Sequence, residues 1–336
     1  MTDPLGVSGF LAPAPDKASP GTFTSHAHFD GSGNEYFEIA FTNTVLTLLT
    51  LGLYAAWAKI RTYQYFYSST QLGGAAFRFT GAAPALSKGI LIGAGVVGLL
   101  QLAFGGFMAF ADDPFEVWGL LVGYLALLCY LWHYAYFRSR RYRFAHTTHR
   151  EIRFHLEGSA SAFAWRCFLR LLGTVLTLGL LFPAYKNSIN RYVYNRLSFG
   201  NLGFHYDGTD AEYFRLCVPG FLLSVLTLGV YSFWWYPRLY TYRIDHLHVG
   251  QSRLRTAAIG PVELFRLWVP NLLMTVFSLG IASPLARVRS ARFFVDRLRF
   301  EGPLDLGTVV QTWQQSASAL GEGLAGALDM DVDLGL

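Results

Sequence analysis

Apolar residues recur along the chain in windows of about 17–23, the length a helix needs to cross a bilayer. They lie at 37–56, 90–111, 117–136, 163–183, 214–235 and 264–285. The second is the cleanest, with no charged residue from Gly89 to Ala111. Each window predicts a helix. Arg166 and Arg170 stand near the start of the fourth, and Arg215 and Arg266 open the fifth and sixth. An arginine at the middle of a spanning helix costs about 2.5–3.5 kcal/mol, so these residues mark segment ends or shortened spans.

A repeat underlies the pattern. Thr-Leu-Gly occurs at Thr50–Gly52, Thr177–Gly179 and Thr227–Gly229, with Ser-Leu-Gly at Ser278–Gly280. The flanks align without gaps. Arg61 matches Arg138, Arg238 and Arg289, and Tyr65 matches Tyr142, Tyr192, Tyr242 and Phe293. Five copies of a unit of about 50 residues result, the first two separated by an extra apolar segment near Ile90–Ala111. Each unit predicts an apolar helix closed by a left-handed glycine cap. A basic, aromatic helix follows, with Pro183 and Pro284 in its first turn. The alternation in Ala76–Gly81, echoed in Ile152–Gly158 and Leu202–Gly208, predicts a short strand.

These residues carry a resemblance. The stretch Phe29–Gly81, and most specifically TLGLYAAWAKIRTYQYF at Thr50–Phe66, resembles the YjgN-like bacterial inner-membrane proteins, whose domain is labelled as being of unknown function. The similarity covers residues 29–302. It implies a multi-pass protein of the bacterial inner (plasma) membrane and brings no catalytic residue, cofactor or substrate. Trp57 is retained only as Trp234 in the later copies.

Composition agrees with a bilayer setting. Hydrophobic residues make up 52% and charged residues 15%, where a soluble domain carries about 25% charged. The net charge of +5 is unevenly placed. Only Lys17 among the basic residues precedes residue 59, and none follows Arg299. Of the 27 Lys and Arg, 22 follow the apolar part of a copy. The positive-inside tendency puts these stretches in the cytoplasm and the Asp112-Asp113 loop outside. Single spans in the last three copies would break that rule once. Units that dip in and return as short hairpins would keep every basic helix and strand on one side, as a small cytoplasmic sheet. Both arrangements are consistent with the residues. The expected architecture is therefore mainly α: a multi-pass integral membrane helical protein of about five degenerate repeats with short cytoplasmic β-strands. Residues 1–28 are expected as a disordered tail, 29–302 as the membrane domain and 303–336 as an acidic tail.

Candidate chemistry is sparse. Cys129, Cys167 and Cys217 sit in apolar stretches with no metal-ligand spacing. The pairs His146/His149, His26/His28 and His246/His248 lack further ligands nearby. The GxGxxG at Gly93–Gly98 lies inside an apolar segment, where it suits helix packing rather than a dinucleotide. An enzyme, a metal, a cofactor and a nucleic-acid partner are not expected. Asn43 and Thr47, with Arg166 and Arg170, are candidates for lining a path between repeats. Trp57, Lys59, Arg61, Tyr65, Arg138, Arg140, Arg141, Arg238, Tyr242 and Arg289 are candidates for interfacial contact with anionic lipid. The expected role is transport-related, or alternatively structural, with the basic-aromatic helices binding lipid or protein.

Overall fold

A computed structural model describes residues 25–302 and 309–311. Strand β1 (Ser25–Phe29) leads into helices α1 (Gly33–Leu49) and α2 (Ala55–Ser68), then strands β2 (Thr70–Leu72) and β3 (Ala75–Phe79). The same order recurs: α3 (Ala83–Met108), α4 (Pro114–Ala145), β4 (Thr147–His149), β5 (Ile152–Leu156). It recurs again as α5 (Ala160–Leu176), α6 (Phe182–Tyr194), β6 (Leu197–Phe199), β7 (Leu202–Tyr206). Then come α7 (Asp210–Leu226), α8 (Ser232–Asp245), β8 (Leu247–Val249) and β9 (Ser252–Thr256). The last set is α9 (Pro261–Phe277), α10 (Ser283–Val295) and β10 (Leu298–Glu301).

The ten strands close into one antiparallel barrel in the order β1-β10-β9-β8-β7-β6-β5-β4-β3-β2. Chain-end strands make the seam, with His26 opposite Arg299 and Phe29 opposite Thr70. Closure removes the free edges that a sheet of such short strands would expose. Along the longer strands, exposed Arg78, Arg153, His205, Arg253 and Arg299 alternate with Phe77, Phe154, Phe204, Leu254 and Phe300. The apolar set turns inward. Phe77 and Phe154 meet across the intervening strand at 6.3 Å, and Phe154 meets Phe199 at 4.7 Å and Phe204 at 6.3 Å. Half-buried Phe77, Phe154 and Phe204 and buried Phe199 thus form an aromatic row along the inner wall from β3 to β7.

The helices form a second ring. Each packs on the helix before and after it in the chain, and α10 packs on α1, so the helical ring closes as the barrel does. Two recurring bonds tie the layers together. The hydroxyls of Tyr65, Tyr142, Tyr192 and Tyr242 donate to the carbonyls of Ser32, Ala82, Ser159 and Thr209, where the first helix of the same set begins. Arg141, Arg191 and Arg292 donate to the carbonyls of Gly158, Gly208 and Gly31, at the entry to the next helical hairpin. The Arg292–Gly31 bond, 2.6 Å long, fastens the end of the described chain to its beginning.

This architecture corrects the expected multi-pass helical bundle. Among the described residues only α3 and α4 are long and apolar enough to cross a membrane. The windows 37–56, 163–183, 214–235 and 264–285 each run through the end of one helix, a turn and the start of the next. Counting apolar residues across a turn makes two short helices look like one span. Helices α1, α5, α7 and α9 have 17 residues each, about 25 Å at 1.5 Å per residue. The N-terminal boundary also moves, because β1 begins at Ser25; the rest of the expected tail, 1–24, lies outside the described residues. Of the expected acidic tail, Val309–Gln311 is described and seats against the turn between β6 and β7. Val309 is buried, Gln311 Oε1 accepts the Arg153 N–H at 2.8 Å, and a Cβ on Gly200 would lie 2.5 Å from the Val310 carbonyl. The remainder of 303–336 lies outside the described residues.

Candidate membrane interface

Four helical hairpins end in one turn chemistry. In the first, Leu51 and Gly52 take φ of 49° and 90°; Leu178–Gly179, Leu228–Gly229 and Leu279–Gly280 repeat these values within a few degrees. The leucine, not the glycine, follows the helix cap. Leu51 N–H donates to the Leu48 carbonyl and Gly52 N–H to that of Thr47, the two bonds of a Schellman ending. A left-handed leucine costs roughly 1–2 kcal/mol, yet all four turns keep one.

The threonine of the motif has a second task. Thr50 Oγ1 donates to the Leu46 carbonyl at 2.7 Å and accepts the Tyr54 N–H at 3.0 Å. Thr177 and Thr227 do the same for Leu181 and Tyr231, and the Ser278 hydroxyl accepts the Ala282 N–H. As a result every backbone N–H from residue 50 to 55 has an acceptor inside its own hairpin, as does every one in 177–182, 227–232 and 278–283. The signal for this role is the Thr or Ser that precedes Leu-Gly in these four copies.

The surface around these turns is apolar and open. Leu51, Leu178, Leu228 and Leu279 are 95%, 97%, 95% and 91% exposed. Phe41 and Leu48 on α1, Trp165 and Leu172 on α5, Phe221 and Val225 on α7, and Phe265 and Leu272 on α9 continue the exposed face. Helices α3 and α4 add Leu99, Leu102, Trp118 and Val122. A soluble monomer exposes contiguous apolar patches of only about 300–600 Å². Charge is confined to the barrel side. The last charged residues before the tips are Glu38, Arg170, Arg215 and Arg266. The turn between α3 and α4 differs: exposed Asp112 and Asp113 occupy it, and Asp113 caps α4 by accepting the Phe115 N–H at 3.0 Å.

The residues suggested as a path are not brought together. Asn43 is buried and donates to the Ala58 carbonyl at 3.3 Å, locking α1 to α2; Asn271 makes the matching bond to Ala286 in the last hairpin. Thr47 bonds back to the Asn43 carbonyl at 2.7 Å. Arg166 is exposed on α5. Arg170 reaches the Ala184 carbonyl at 2.9 Å and Asp210 at 3.2 Å. The α3–α4 hairpin lies between these two groups in the ring.

The suggested lipid-contact residues divide. Trp57, Arg61, Arg238 and Arg289 are exposed on the second helices of their hairpins, and Trp57 stacks on Tyr54 with Arg61 5.7 Å from the same ring. Lys59, Arg138, Arg140 and Arg141 are half-buried; Arg140 donates to the Tyr136 hydroxyl at 2.7 Å. Tyr65 and Tyr242 are buried in the interlayer bonds described above, which accounts for their recurrence.

One polar cluster escaped sequence reasoning. Asp210, at the start of α7, accepts from Arg191 at 2.6 Å, Asn187 at 2.7 Å and Arg170. Burial raises its pKa, but the hydrogen bonds from Asn187 and Arg170 and the Arg191 charge outweigh that and hold the carboxyl below its ordinary value. Among the histidines, buried His149 places Nε2 3.0 Å from the Leu72 carbonyl, and burial lowers its pKa. His28 and His248 pair with Asp296 and Asp207. Among the described residues no three His, Cys, Asp or Glu side chains converge to hold a metal.

Comparison with known proteins places this arrangement among relatives named for the membrane. The chain is 35% identical over 71 residues to the inner membrane protein YjgN of Salmonella typhimurium, covering 20% of this chain and 18% of that one. It is 26% identical over 216 residues to the inner membrane protein YjgN of Escherichia coli K12, covering 61% and 50%. The chain thus aligns with no more than half the length of either relative. No solved structure matches it. A family model matches residues 24–209, 201–255 and 235–327, nearly the whole described chain. The chain therefore belongs to the family described as bacterial protein of unknown function (DUF898).

Proposed function

We propose that the protein is a structural, non-enzymatic component of the bacterial inner membrane that seats a basic β-barrel against the bilayer surface. The observation that carries this reading is the exposed apolar outer face of the helical ring. Water would hydrate that face at a cost of about 25 cal/mol per Å², whereas lipid tails cover it without penalty. The names of the relatives support the same setting. The recurring helix–helix–strand–strand order supports a repeated unit, each copy adding one hairpin to the ring. The barrel, with its exposed arginines, faces the cytoplasm under the positive-inside tendency. Trp57 and Arg61, with Arg238 and Arg289, then stand at headgroup level and favour anionic lipid.

The structural role is favoured over a transport path by two features. The inner barrel wall carries a row of apolar rings, Phe77, Phe154, Phe199 and Phe204, in place of polar groups, and Asn43 and Arg170 are occupied in helix packing. The test is native mass spectrometry of the detergent-purified protein. Anionic phospholipid is expected to remain bound in preference to zwitterionic lipid. The combined Arg61→Gln, Arg238→Gln and Arg289→Gln variant is expected to lose that preference. Equal retention of both lipid types by the wild type would refute the reading.

A further inference from the structure

The same turn occurs four times with all its N–H groups satisfied from within, and it presents to the outside a leucine that is almost wholly exposed. We propose that these four turns are immersed in the hydrocarbon of a single leaflet, the one facing the barrel, while the α3–α4 hairpin crosses to the opposite aqueous face. The surface they form is a docking surface for lipid acyl chains. This inference rests on the membrane reading above.

Three observations carry it. The first is the backbone. A turn in water needs no internal acceptor for its N–H groups, since solvent supplies one. A turn in hydrocarbon must satisfy each donor itself, and irregular backbone is otherwise excluded from that region. In all four turns six consecutive N–H groups are bonded inside the hairpin, the fifth of them only through the Thr or Ser hydroxyl.

The second is the side chain. Leu51, Leu178, Leu228 and Leu279 sit at φ near +50°, where asparagine or glycine is the usual choice. An exposed leucine there gains nothing in water.

The third is depth. Glu38, Arg215 and Arg266 each precede their tip leucine by thirteen residues, and Arg170, paired with Asp210, precedes Leu178 by eight; Lys59, Lys186 and Arg287 each follow their tip by eight. Eight to thirteen residues of helix rise about 12–20 Å, against about 15 Å for the hydrocarbon of one leaflet. The hairpins therefore end within one leaflet. The uncharged run from Gly89 to Ala111 has 23 residues, about 35 Å, enough to pass through the whole hydrocarbon core. Its turn carries exposed Asp112 and Asp113, groups that belong in water.

Depth-dependent quenching tests the proposal. Leu51→Cys, Leu178→Cys, Leu228→Cys, Leu279→Cys, Leu99→Cys, Asp112→Cys and Arg299→Cys would each be labelled with an environment-sensitive fluorophore. The full-length protein would be placed in nanodiscs, which expose both bilayer faces. Labelling is corrected against the unsubstituted chain, whose three thiols are buried or half-buried. The four tip labels are expected to be quenched several-fold more by a nitroxide near the acyl-chain end than by a water-soluble quencher. The Asp112 and Arg299 labels are expected to show the reverse. Tip labels quenched by the aqueous agent as strongly as Asp112, with Leu99 still protected, would overturn single-leaflet immersion and leave the membrane reading standing. Aqueous quenching at Leu99 as well would defeat the membrane reading itself.

Discussion

Thr227 offers a direct measure of how dry a hairpin turn is. Its hydroxyl donates to the Leu223 carbonyl at 2.7 Å and accepts the Tyr231 N–H at 2.9 Å. Valine has nearly the same shape but no acceptor, so Thr227→Val leaves the Tyr231 N–H without a partner inside the hairpin. If the turn lies in hydrocarbon, the unpaired donor costs about 1–3 kcal/mol. If water reaches the turn, solvent replaces the hydroxyl and the loss falls to about 0.5–1 kcal/mol or less. The added methyl favours a lipid environment, so poorer partitioning would not explain a loss. Thr227→Ser keeps the oxygen and is expected to stay within about 0.5 kcal/mol of wild type. Thr50→Val, Thr177→Val and Ser278→Ala act on separate hairpins, and their effects should add. The assay is reversible unfolding in nanodiscs followed by fluorescence. Full wild-type stability of Thr227→Val in the bilayer would refute the reasoning, because it would mean that the Tyr231 N–H already has water available.

Other parts of the molecule make further predictions. Asp210→Ala leaves Arg170, Arg191 and Asn187 facing an empty position; with about a third of the Asp210 side chain open to solvent, a loss of about 1–3 kcal/mol is expected in the same unfolding assay. The lowered Asp210 pKa means that its contribution is present above the ordinary carboxyl value and is lost as pH falls through the lowered one. His149 acts at higher pH. Its neutral form is favoured in the fold, so stability is intact above about pH 6.5 and declines as acidification protonates the unfolded chain first. His149→Gln is expected to flatten the fall of the unfolding midpoint below about pH 6.5. Phe29 is 1% exposed on the seam strand, and Phe29→Ala should cost about 3–5 kcal/mol and raise hydrogen exchange across β1, β2 and β10.

Much of the local structure was legible in the residues. The short strand over Ala76–Gly81 is present as β3, and Pro183 and Pro284 do stand in the first turns of α6 and α10. The glycine of Thr-Leu-Gly does adopt a left-handed conformation. Less was visible where the signal was nonlocal or short. The three-residue strands β2, β4, β6 and β8 are too brief for a period of two to register. Pairing of Ser25 with Phe300 joins residues at opposite ends of the described chain, which no local pattern can announce. The apolar windows misled because hydropathy does not distinguish one span from two helix ends joined by an apolar turn. The recurrence of Tyr65 and Tyr242 was visible in the alignment, but the bond each hydroxyl makes to a helix-start carbonyl was not, because it joins residues 33 apart in the chain.

The membrane contact of the helical ring is tested most directly by site-directed spin labelling in nanodiscs, reading collision rates with oxygen and with a water-soluble nickel chelate. Labels at Leu48→Cys, Leu172→Cys, Val225→Cys and Val276→Cys lie on the exposed apolar face, and labels at Arg78→Cys, Arg153→Cys and Arg299→Cys lie on the outside of the barrel. The first group should collide with oxygen and be shielded from nickel, and the second should show the opposite. Nickel accessibility as high at Leu172 and Val225 as at Arg153 would contradict the account.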